Sequence, residues 1–203
     1  MRQIVIPCKR FVAGLALFVV GVAFSSACFN RSEMRFEIPK ASWVQIFFKE
    51  INSVAKFTGQ IDLTETRLRD GDLEARMWWG FGLSPLEGIS LRRVGGQWSA
   101  IHTIADQYSE PTYAERRELQ PPKSGWDKCW QRLLDAGILT QPDASAVNCG
   151  DIGLDGIGFV VETNTNRTYR TYMYHNPTLA KCNEAKQMVK IAEIIDEEFT
   201  WKK

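Results

Sequence analysis

The chain has 203 residues, 44% of them apolar and 24% charged, and a formal net charge of +1. That length admits one domain with a sizeable core, and the composition is that of an ordinary globular protein. A balance this close to neutral gives no electrostatic reason to hold nucleic acid.

Arg2, Lys9 and Arg10 are the only charged side chains ahead of Cys28, and an unbroken apolar run follows them from Phe11 to Phe24. Small residues Ser25, Ser26 and Ala27 come next. Basic, apolar and small stretches in that order are the plan of a secretory signal peptide, so residues 1–27 are predicted to be a leader. An apolar run of fourteen residues spans about 21 Å as a helix, short of the roughly 30 Å hydrocarbon core, which argues against an uncleaved anchor.

Two processing routes fit the same residues. Ser25-Ser26-Ala27-Cys28 is similar to a bacterial lipobox, which would place lipid on Cys28, although Ser25 stands where a Leu is usual. Ordinary cleavage after Ala27 fits equally well. Without the leader, 22 basic residues face 24 acidic ones, so membrane contact is expected only through a lipid on Cys28.

Cys8 falls in the leader, leaving Cys28, Cys129, Cys149 and Cys182. In an oxidising compartment these favour a disulfide. Cys149–Cys182 is the expected bridge, because the two flank a predicted hairpin whose antiparallel pairing brings them to the same end. Cys129 has no assigned partner. No CxxC or Cys/His cluster has zinc spacing, so neither a metal nor another cofactor is expected.

Residues 28–41 are polar and read as a tether, with a short strand at Met34–Ile38. Ser42 caps a helix reaching about Phe57, with Val44, Phe47, Phe48, Ile51 and Val54 on one face and Gly59 as its stop. Ile61–Leu63 reads as a short strand. From Leu73 to Trp79, Leu73, Ala75, Met77 and Trp79 alternate against Glu74, Arg76 and Trp78, a period of two that predicts a strand. Two more strands, Pro85–Val94 and Gln97–Ile104, meet across Gly95-Gly96 as a hairpin. The charged, proline-bearing stretch from Ala105 to Ser124 reads as a partly extended surface excursion.

Ser124 is expected to cap a helix that buries Trp126, Cys129, Trp130, Leu133 and Leu134 and ends at Gly137. A polar loop from Asp143 to Gly153 leads to a second hairpin, in which Phe159–Val161 and Tyr169–Tyr174 meet across Asn164–Arg167. Asn176 and Pro177 then read as the cap and first residue of a final helix reaching about Phe199. Its apolar stripe is Leu179, Cys182, Ala185, Val189, Ala192 or Met188, and Ile195. The fold expected is one α+β domain over 42–203, an antiparallel sheet of about five or more strands with two or three packed helices.

For function, Arg170, Tyr172 and Tyr174 share one face of the predicted strand, while Tyr169 and His175 share the other. Recognition surfaces favour Tyr, Trp and Arg, and so do aromatic cores and their rims. The expectation is a non-enzymatic protein that meets an envelope protein or cell-wall component through Arg170, Tyr172, Tyr174 and Trp78. The alternative is a small hydrolase using His175 with Asp155, Glu162 or Asp151. No GxSxG elbow occurs, and the Gly-rich segments lack phosphate-loop spacing.

The segment from Asp155 to Pro177, DGIGFVVETNTNRTYRTYMYHNP, resembles a D-G-x-x-[FY]-x-V-E strand followed by Y-R-x-Y-x-Y-x-N-P in a group of exported bacterial proteins. RMWWGFGL fits the same group loosely, and the resemblance covers roughly half the chain. It implies a cell-envelope protein and no particular activity.

Overall fold

Seven strands and three α-helices form among the described residues, which in this computed structural model are 34–81, 85–106, 113–149 and 157–201. The predicted leader, Cys28, Asp151 and Asp155 lie outside them. The strands are β1 (Arg35–Glu37), β2 (Leu73–Trp79), β3 (Leu86–Val94), β4 (Gln97–Asp106), β5 (Tyr113–Glu118), β6 (Gly158–Thr165) and β7 (Thr168–His175). The helices are α1 (Trp43–Thr58), α2 (Trp126–Asp135) and α3 (Asn183–Glu198). All belong to one α+β unit.

The strands make a single sheet in the order β1-β7-β6-β2-β3-β4-β5. Every neighbouring pair is antiparallel except β1, which lies parallel to β7 with Phe36 opposite Tyr169. Alternation sends Leu73, Ala75 and Met77 of β2 towards α2 and α3, where Val161, Tyr172, Leu133, Met188 and Ile191 complete one core. Trp78 points the other way and joins Phe47, Ile51 and Val54 of α1 in a second core. Both faces of the sheet are therefore covered around the β6–β7 hairpin.

The short strand expected at Met34–Ile38 is present as β1, while three other local expectations differ from what is seen. Ala105–Ser124 contains β5, an edge strand paired to β4 from Ile101 to Asp106. Ile61–Leu63 is no strand; the Asp62 carboxylate takes the Thr64 N–H at 2.8 Å and bends the chain into a turn. Ser124 does not cap α2. Gly125 is its N-cap, and the Ser124 N–H and hydroxyl both donate to Glu198, each at 2.8 Å.

The final helix starts six residues later than Asn176-Pro177 suggests. Asn176 has φ 45°, its N–H donates to the Ile157 carbonyl at 3.0 Å, and its Oδ1 accepts from the Ile157 N–H at 3.0 Å. It ties the ends of the hairpin together in place of capping a helix. Cys182 is the N-cap of α3, with Sγ accepting from the Ala185 N–H at 3.3 Å. The expected Cys149–Cys182 disulfide is present, with Cα atoms 4.7 Å apart, and fixes the head of α3 to the segment before β6. Cys129 is a buried free thiol whose pKa is pushed up to about 12, chiefly by burial and then by the Glu198 charge.

Candidate binding site

Of the four residues expected to form a recognition face, Arg170 is partly exposed and the other three are buried. Tyr172 and Tyr174 are 0% and 1% exposed, and so is Trp78 at 1%. The reason lies in the turn after α2, whose backbone carbonyls need donors once the helix has ended. Tyr172 Oη donates to the Ile138 carbonyl at 3.0 Å and Tyr174 Oη to that of Pro142 at 2.9 Å. Arg170 donates to the carbonyls of Leu139 and Gln141, and its Nε lies 3.1 Å from Glu37 Oε2. These side chains hold a loop down on the sheet, and the loop covers the tyrosines.

The opposite face is closed too. Trp78 Nε1 and Tyr169 Oη each donate to the Glu162 carboxyl at 2.8 Å. Glu162 is 2% exposed, and burial raises its pKa against the lowering influence of Arg76 and the two donors. Arg76, itself buried, donates to Glu74 at 2.7 Å and to the Ile61 carbonyl at 2.9 Å. Burying the Tyr169 phenol, beside Glu162, drives its pKa upward, so it stays neutral. The cluster is an internal hydrogen-bonded network beneath the segment that follows α1, in which the second oxygen of Glu74 has only the Arg92 guanidinium, 3.5 Å away.

Of the hydrolase residues, Glu162 and His175 do not converge, and Asp151 and Asp155 lie outside the described residues. Glu162 stands opposite Thr171 in the β6–β7 register, while His175 stands opposite Gly158. Four residues along a strand put Glu162 and His175 about 13 Å apart.

What the surface does offer is a cleft of about 310 Å3 where α3 crosses the ends of β2 and β6. Met77, Trp79 and Phe159 rise from the sheet, and Val189, Ala192 and Ile195 descend from α3. The space exists because α3 presents Val189 and Ala192 here, while its larger Met188, Ile191 and Ile194 face the core. Trp201 closes one end, its ring 6.2 Å from that of Trp79 and inclined at 46°. Glu193 and Asp196 border the cleft from the last turns of α3, with Lys190 Nζ 3.5 Å from Glu193 Oε2. Ile157, 52% exposed, borders it on the other side. This volume and lining fall within the range of small-molecule sites.

Beyond Trp201 lies a polar hollow of about 210 Å3 lined by His102, Ile104, Glu115 and Arg117. Its charges engage one another. His102 Nε2 is 3.1 Å from Glu87 Oε2, and Glu115 accepts from Tyr113 at 2.7 Å and from Arg117 at 3.0 Å. Among the described residues no group of three or more His, Cys, Asp or Glu side chains is placed to hold a metal ion.

The chain matches no protein-family profile, and no curated protein matches it significantly. The alternation of β2 puts Trp79 on a strand, but nothing in the sequence marks Val189, Ala192, Asp196 or Trp201 as a site. Val189 and Ala192 fit an apolar helical stripe, and only the missing bulk opposite Trp79 could have marked them as cleft wall.

Proposed function

We propose that this protein is exported to the cell envelope and works there by binding, not by catalysis, holding an apolar small molecule in the cleft between α3 and the sheet. The observation that carries this is the cleft itself, with two indole rings and aliphatic walls around about 310 Å3. Export rests on the leader pattern of residues 1–27 and agrees with the resemblance of the hairpin to exported bacterial proteins. A Cys149–Cys182 bridge is compatible with that compartment. The protein is either free in the periplasm or held to a membrane by lipid on Cys28. Hydrolysis has less support, since Glu162 is sealed inside its network and His102 is engaged by Glu87.

An environment-sensitive apolar dye, titrated while tryptophan emission is followed, tests the reading. The protein should bind it saturably at one site. Ala192→Trp, which fills the cleft from the α3 side, should weaken binding by about tenfold or more with the far-UV spectrum unchanged. Binding that does not saturate, or that survives Ala192→Trp undiminished, would show that the cleft is not the site.

A further inference from the structure

We infer that the molecule taken by this cleft is an organic cation, an alkylammonium whose hydrocarbon body fills the apolar walls and whose charge sits at the Trp201 end. This rests on the cleft being the binding site. Three independent features of the mouth point to positive charge.

The first is aromatic. Trp79 and Trp201 border the cavity with ring centroids 6.2 Å apart, and the face of an indole is the best aromatic surface for a cation. The second is ionic, since among the described residues the titratable side chains lining the cleft are Glu193 and Asp196, each of which also has a contact elsewhere in the chain. Lys190 lies 3.5 Å from Glu193 on the exposed side and offsets part of that charge. Arg132 of α2 pairs with Glu197 and Glu198. The third is the backbone. The cleft lies against the last turns of α3, where the helix presents the negative end of its dipole.

An anionic amphiphile would bring its head group against two carboxylates and a helix C-terminus. A neutral one would gain the apolar contacts alone. A small hydrated cation would forfeit the walls, because Met77, Phe159, Val189 and Ile195 offer it nothing to coordinate. An alkylammonium satisfies both halves of the lining.

The test compares decyltrimethylammonium, decyl maltoside and decyl sulfate, each below its micelle-forming concentration, by calorimetry and tryptophan quenching on the purified protein. The cation should bind about tenfold or more tighter than the sulfate, with the maltoside between, and the difference should shrink as salt is raised. The double variant Glu193→Gln/Asp196→Asn should reduce the difference to about twofold while keeping the maltoside affinity. Trp201→Leu should weaken the cation more than the maltoside.

If the three decyl compounds bind the wild type equally, or the sulfate binds best, the cation assignment is overturned and the apolar cleft stands. The assignment also fails if the cation preference persists in both the double variant and Trp201→Leu. If none of the three saturates, the cleft reading falls, and the cation with it.

Discussion

At Gly88 the sheet has no room for a side chain. A Cβ there would stand 2.2 Å from Cε3 and 2.5 Å from Cζ3 of Trp78, its partner across β2 and β3. The indole cannot swing aside freely, because its Nε1 is hydrogen-bonded to the buried Glu162 at 2.8 Å. Breaking that bond would leave a buried donor and a buried carboxyl short of a partner. Gly88→Ala should therefore destabilise the protein by about 3 kcal/mol, at the upper end of ordinary overpacking costs. Urea denaturation checks this, with the midpoint falling at unchanged slope. A midpoint equal to wild type would mean that the ring is not pinned. Little of this arrangement is legible in the sequence. Trp78 on a strand suits a recognition surface or a core equally well, and what decides is Glu162, 84 residues further on. The same holds for Tyr172 and Tyr174, whose hydroxyls reach carbonyls more than thirty residues away.

Among the elements, α3 is the one whose placement depends on a crosslink. The disulfide closes a loop of 33 residues and also supplies the sulfur that caps the helix. These two contributions separate by mutation. Cys149→Ser removes the crosslink alone and should cost about 3–4 kcal/mol by the loop-closure relation. Cys182→Ser should cost the same, because the serine oxygen takes over the cap, whereas Cys182→Ala should lose about 1 kcal/mol more. Thermal and urea unfolding of the three variants decide the matter, and equal losses from Cys182→Ser and Cys182→Ala would deny the sulfur its capping role. The crosslink was readable because hairpin geometry alone brings its two ends together. The start of α3 was not, since Asn176-Pro177 carries a strong local capping signal that the pairing of Asn176 with Ile157 overrides. β5 escaped for a different reason. Its sequence YAERRE is an edge strand mostly open to solvent, so no apolar alternation announces it. The cleft draws on β2, β6, α3 and Trp201, and no local pattern encodes such a meeting.

Across the whole molecule, two buried carboxyls pull stability in opposite directions with pH. Burial raises the Glu162 pKa, so the folded state favours its neutral form. Its contribution is complete below the ordinary carboxylate pKa of about 4.3 and is lost as pH rises through the folded value. Glu50, half-buried on α1, has the same sign for the same cause. Glu198 behaves the other way. Burial works to raise its pKa, but the Ser124 N–H and hydroxyl and the Arg132 guanidinium outweigh it and hold the carboxyl below its usual range. Its contribution is present above the ordinary pKa and is lost as pH falls through the folded one. Stability should therefore peak in mild acid, at about pH 5, in melts taken from pH 3 to 9. Glu162→Gln keeps an acceptor for Trp78 and offers an amide donor to the Tyr169 oxygen, so it should flatten the decline above that peak and leave the acid limb intact. A wild-type optimum at neutral pH, with no change in Glu162→Gln, would contradict the assignment.

The parallel seating of β1 gives the molecule a front and a back. Arg35 lies beside Thr168, its N–H on the Arg167 carbonyl at 2.7 Å, so β1 begins at the rear, by the hairpin tip. The cleft opens at the other end, by Phe159 and Pro177, about 23 Å away along β7. One end of β7 thus seats the parallel strand while the other leads into the mouth, so either can be altered without touching its opposite.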